Sequence, residues 1–335
     1  MQTPKELGFS MPAEWAEHRR CWMMWPCRRE VWPDFEATLR GYAAVAHAIR
    51  EFEPVTMATP PEDAARARSM LGGDIEVIEV PLDDSWSRDA GPVFLKTGDG
   101  ETAGVNFCFN AWGGKYDPFH RDNAFSSFVL ETAGARQFYS SLTAEGGGIS
   151  VDGEGTLLTT ESCFPNRNRN PGWTRDAIEL ELCEMLGVTK VIWLPGDEEE
   201  TETDGHVDGI AVFAEPGVVI VGSADQPNDP YREAKQDNVD ALRGQTDARG
   251  RPIRLIPIPA ALDAIGGNER FCAEYVNFYI ANGGIVMPEY DLPTDAEARE
   301  VLEEAFPGRR ILGVPVRDIA IGGGGIHCIT QQEPV

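Results

Sequence analysis

Hydrophobic positions along the chain change their period in a recurring order. Phe35, Leu39, Tyr42, Ala46 and Ile49 repeat at helical spacing, and the helix they predict must stop before Pro54. A short strand follows over 55–58. Further helices are predicted over 62–71, 122–132, 174–186, 231–242 and 294–306, the last opened by a Thr294/Glu297 capping box. Each leads into a strand: 75–80, the stretch around Phe138, 191–194, 253–258 and 311–316. After each strand comes a polar or glycine-rich segment, at 84–89, 145–148, 204–208, 275–277 and 321–328. Hairpin turns are expected at 152–155, 215–217 and 282–283, and Ile329-Thr330 reads as the start of a last strand.

The phrase helix, strand, polar segment, hairpin therefore recurs five times, with polar segments about 50 to 70 residues apart. A doubly wound sheet would show a G-x-G-x-x-G after a strand and fewer hairpins. The pattern predicts an α/β fold: a five-bladed, pseudo-symmetric α/β-propeller of ββαβ modules in one domain over 1–335. The strand around Cys21 to Trp25 is expected to pair with the last module and close the ring. Equivalent positions in radial modules meet at the axis, so the polar segments should converge there.

Composition narrows the partners. The formal net charge is −26, which disfavours nucleic acid and anionic membrane and suits a small cation. Seven scattered cysteines without a C-x-x-C pair argue for reduced thiols in a cytoplasmic protein rather than disulfides or structural zinc. The N-terminal residues lack the apolar core of a signal peptide, and no apolar run reaches membrane-spanning length. A ring with exposed edges is compatible with a homodimer.

Convergence would bring Asp89, Glu145, His206, Asp208 and Cys328 together, with Trp86 and Trp112 nearby. A guanidinium is planar, forked and permanently charged, so two carboxylates, here Asp89 and Asp208, can grip it. A cysteine after four glycines, Gly322 to Gly325, can be a nucleophile, although free cysteines are as often small buried hydrophobes. Attack by Cys328 on the guanidinium carbon, loss of ammonia and hydrolysis of the S-amidino adduct need one group to give and then take a proton. His206 suits that, with Glu145 orienting it. The carboxylates should raise the Cys328 pKa until a cation binds. No metal or other cofactor is required; His206-Val-Asp208 alone is a weak metal half-site. Taken singly, Asp89 could cap a turn, the tryptophans could be core, His327 could merely pack, and the acidic run 197–202 could be a solvated loop.

Seven runs carry a family likeness: Trp86-Ser-Arg-Asp89, Asn110-Ala-Trp-Gly-Gly-Lys115, Glu145-Gly-Gly, Asn166-Arg-Asn-Arg-Asn-Pro171, Gly205-His-Val-Asp208, Asn277-Phe-Tyr-Ile-Ala-Asn-Gly-Gly284 and Gly324-Gly-Ile-His-Cys-Ile-Thr-Gln-Gln332. The chain resembles the agmatine deiminases of the guanidino-group-modifying (pentein) superfamily from Met11 to the C-terminus. The resemblance implies hydrolysis of agmatine to N-carbamoylputrescine and ammonia, a step from arginine to putrescine. It also implies Cys328 as nucleophile, His206 as acid and base, Asp89 and Asp208 on the guanidinium, Glu145 behind the histidine, and Glu202 near the distal amine. Gly325 stands where some members carry Asn. Other readings are a deiminase of free or peptidyl arginine, for which Arg167 and Arg169 could bind a carboxylate, and a non-catalytic binding protein of the same architecture.

Overall fold

The computed structural model describes residues 2–227, 229–268 and 270–335. Five separate sheets follow one another around a ring. Three of them repeat one plan, in which a hairpin is extended by a parallel strand reached through a helix. Ser150–Val151 and Thr156–Thr160 pair antiparallel, and Lys190–Leu194 adds in parallel after the helix Arg175–Leu186. Ala211–Glu215, Val218–Gly222 and Arg254–Ile258 do the same around the helix Arg232–Leu242. Tyr279–Ala281, Gly284–Glu289 and Arg310–Pro315 do so around the helix Thr294–Ala305. A fourth sheet, with Val93–Thr97, Thr102–Cys108 and Arg136–Thr143, gains Phe9–Ser10 on its edge.

The fifth sheet is the expected clasp. Gln331–Pro334 lies antiparallel to His18–Met24, with Gln331 opposite Trp22, so the last strand closes the ring against one from near the start of the sequence. Val55–Thr59 and Glu76–Glu79 continue that sheet in parallel. The helix Phe35–Arg50 packs on it through Leu39, Tyr42, Val45, Ala46 and Ile49, all fully buried. Its first turn is held by Asp34, whose side chain accepts from Ala37 N at 3.0 Å, a cap worth about 1 kcal/mol.

Three local expectations fail. The helix predicted over 122–132 is two pieces, His120–Asn123 and Phe125–Ala133, because the Asn123 side chain turns to accept from Phe109 N. Thr294 and Glu297 form no capping box; Asp295 instead accepts from the upstream Tyr290 and Leu292 amides. The last strand begins at Gln331 rather than Ile329, since Thr330 Oγ1 bonds back to the Ile326 and His327 carbonyls and keeps Cys328 in a turn. No helix among the described residues is long and apolar enough to cross a membrane.

Candidate active site

In every sheet the segment just before the inner hairpin carries polar side chains to the axis. Asp89 sits in the turn Ser87–Ala90 before Val93–Thr97. Glu145 precedes the turn Gly146–Gly148, and His206 and Asp208 flank Val207 before Ala211–Glu215. Asn277 precedes Tyr279–Ala281, and Cys328 precedes Gln331–Pro334. All six are buried. Sequence reading named five of them and left Asn277 unassigned, though it occupies the equivalent place in its repeat.

Gly147 measures how closely these groups meet. A Cβ built on it would lie 2.5 Å from His206 Nδ1, 2.8 Å from Asp89 Oδ1 and 3.1 Å from Asp208 Oδ2. Three polar atoms from two blades thus surround one point on a third, and only glycine leaves it open. Cys328 Sγ is 3.6 Å from Asp208 Oδ2 and sits against the Asn277 amide, 3.3 Å from Nδ2 and 3.4 Å from Oδ1. Asn277 Oδ1 also accepts from His327 N at 3.0 Å. A Cβ on Gly325 would fall 2.5 Å from that oxygen, so Asn277 fills the space an asparagine at 325 would need.

Each carboxylate is anchored. Asp89 accepts from Trp112 Nε1 and from Gly147 N, both at 2.9 Å. Trp112 is aimed by a left-handed turn, φ 53°, stabilised by Asn110. Asp208 Oδ2 accepts from His327 Nδ1 at 2.8 Å. Glu145 Oε1 accepts from Arg169 Nε at 2.8 Å, and its Oε2 lies 3.5 Å from His206 Nε2. Arg169 is buried and committed to Glu145 and Asp204, so it is not free to meet a substrate carboxylate; Arg167 is exposed.

The electrostatics follow from burial and these pairings. Burial pushes the Cys328 thiol well above its usual value, and Asp208 and Asp89 push it further. Burial likewise raises Asp89. For Asp208 burial is outweighed by the His327 hydrogen bond and by the charges of His327, His206 and Arg88, which hold it down. Burial opposes the charged form of His206, but Asp89 and other neighbours win and raise it well above the usual imidazole value. Glu145 stays low because Arg169 and His206 outweigh its burial.

Two openings meet at Cys328, Thr203, Gly323 and Arg270. One is a narrow slot bounded by Trp86, Trp112, Tyr116 and Glu202. Trp86 lies against the glycine run: a Cβ on Gly324 would come 2.3 Å from its ring. Glu202 accepts from Tyr116 OH at 2.6 Å and pairs with Arg270 Nε at 2.9 Å. The other is a cavity of about 380 Å³ bounded by His206, Asp208, Lys235 and Glu274. Glu145, Cys163 and His206 place three metal-type donor atoms within 4.8 Å of one another. Arg169 already occupies that glutamate and would repel a cation there.

A family model described as Porphyromonas-type peptidyl-arginine deiminase matches residues 10–334. The chain belongs to that family. An agmatine deiminase of Ectopseudomonas mendocina is 43% identical over 99% of this chain and 97% of its own length. The solved agmatine deiminase of Enterococcus faecalis superposes with a TM-score of 0.96 at 36% identity, covering 100% of this chain and 98% of that one. The C. jejuni agmatine deiminase, solved as a cysteine-to-serine variant with substrate bound, gives a TM-score of 0.86 at 26% identity over 97% and 96% of the two chains. The five-bladed architecture and the resemblance read from the motifs are thereby established. Members of this deiminase family that align end to end leave no blade of this chain unaccounted for.

Proposed function

We propose that this deiminase hydrolyses agmatine to N-carbamoylputrescine and ammonia. The observation that carries the reading is that Asp89, Asp208 and His206 surround one buried point, with Cys328 Sγ 3.6 Å from Asp208 Oδ2 and Trp86 lining the slot that reaches Cys328. The full-length likeness to enzymes named for agmatine supports the substrate.

Asp89 and Asp208 grip the guanidinium from two sides and Trp86 bounds its face. The cation offsets the two carboxylates, the Cys328 pKa falls, the thiol gives its proton to water in the adjoining cavity, and the thiolate attacks the guanidinium carbon. The C=N electron pair moves to nitrogen as the C–S bond forms. His206, held as imidazolium between Asp89 and Glu145, protonates the leaving nitrogen, and ammonia departs as the tetrahedral adduct collapses. Neutral His206 then takes a proton from water entering through the cavity, and hydroxide adds to the amidino carbon. The C–S bond breaks as the adduct's hydroxyl proton passes to the departing sulfur, which returns the Cys328 thiol and the neutral carbamoyl product. At the far end of the slot the primary ammonium takes over Glu202 from Arg270. No metal or cofactor is invoked.

The test is ammonia release from agmatine, arginine and a blocked arginine peptide, with Cys328→Ser alongside. Turnover of agmatine alone, lost in the variant, is expected. Preference for arginine or the peptide would overturn the substrate and keep the chemistry.

A further inference from the structure

His327 stands beside the nucleophile and its ring is held at both ends. Nδ1 lies 2.8 Å from Asp208 Oδ2, and Nε2 lies 2.9 and 3.1 Å from the two oxygens of Glu14. A neutral imidazole can donate from one nitrogen only, so it would leave a lone pair facing a carboxylate. The imidazolium donates to both. All three side chains are buried, and Glu14 reaches the axis from the segment preceding the first strand of the clasp.

We propose that His327 is held as an imidazolium and serves as the buried counter-charge of the nucleophile, acting through Asp208 as a positioning residue. Asp208 Oδ2 is shared: it accepts from His327 and lies 3.6 Å from Cys328 Sγ. Without a positive partner, the charge needed to bind the guanidinium would also oppose the thiolate that must attack it. With one, the same carboxylate can do the first at less expense to the second. The charged groups around His327 are Glu14 and Asp208 on its two nitrogens, with Arg88 at its carbonyl and 3.8 Å from Glu14. The inference rests on Cys328 as nucleophile, whatever guanidine it attacks.

Glu14→Gln keeps the size and an acceptor for Nε2 but removes the charge that holds the second proton. Its kcat should match that of the parent near pH 6 and fall about tenfold below it by pH 9, with KM not raised. Alkylation of Cys328 by neutral iodoacetamide should slow in parallel, which reads the nucleophile without any substrate. His327→Asn, whose amide can still donate to Asp208, should show the same kcat loss across the whole pH range, and it carries the test if Glu14→Gln does not fold. A loss independent of pH in Glu14→Gln, a raised KM with unchanged kcat, or His327→Asn alkylating at the parental rate would each overturn the proposal. Failure of agmatine turnover in the parent, with iodoacetamide rates shifted as expected, would overturn the substrate instead.

Discussion

At the residue scale the site is governed by contacts too close to tolerate a methyl group. Gly147→Ala should lower kcat/KM at least about a hundredfold, because its Cβ would fall within 3.1 Å of His206, Asp89 and Asp208 at once. Gly325→Asn, which would bring in the residue some relatives carry, should reduce activity here, since Asn277 already occupies the space; steady-state kinetics check both. Glu202 allows a sharper test. Glu202→Gln should raise KM for agmatine about tenfold while leaving KM for n-butylguanidine, which has no distal amine, nearly unchanged. Equal effects on the two would remove Glu202 from amine recognition. Arg270 would have been hard to find from sequence, because its significance is its ion pair with a residue 68 positions away, 270 minus 202.

At the scale of elements, each blade contributes by the same geometry, and that was legible because turns, periodicity and spacing are local properties. The helix Thr294–Ala305 illustrates the limit. Thr294 and Glu297 have the spacing of a capping box, yet Glu297 is exposed and Asp295 does the anchoring, accepting from Tyr290 N at 2.9 Å and Leu292 N at 3.0 Å. Asp295→Ala should therefore cost about 1–3 kcal/mol in urea unfolding, against less than about 0.5 kcal/mol for Glu297→Ala. The reverse ranking would restore the capping box.

At the scale of the whole molecule, closure depends on five terminal residues and acid stability on buried pairs. Gln331 to Pro334 are buried, pair with His18–Met24, and place Glu333 Oε2 2.9 Å from Trp22 Nε1. A chain ending at Thr330 should lose its cooperative thermal transition and its activity together, although it retains Cys328. Glu14 sets part of the pH dependence. Burial would raise its carboxyl, but His327, Arg88 and His18 outweigh it and bring its pKa down to about 2. A depressed folded pKa gives stability that is complete above the unfolded value and lost as pH falls toward the folded one. The gap from 4.5 to about 2 corresponds to about 3 kcal/mol. Glu14→Gln should be less stable by about that much at pH 7, and the difference should shrink as pH falls from 5 toward 2, measured by urea unfolding. A pH-independent difference would mean that Glu14 contributes packing alone.

Read locally, the chain carries the five-fold order of helix, strand, polar segment and hairpin, the closure of the ring by its last strand, and the convergence of Asp89, Glu145, His206, Asp208 and Cys328 as a candidate site. Those follow from periodicity, turn residues and functional-group type, which are written locally. Only the tertiary structure decided how each of these groups is held. It paired Arg169 with Glu145, set Asn277 against the Cys328 sulfur, turned Arg270 onto Glu202, and strung Glu14, His327 and Asp208 into one buried chain. These partners are far apart in sequence and have ordinary side chains, and a pairing energy exists only once burial has removed water from between them.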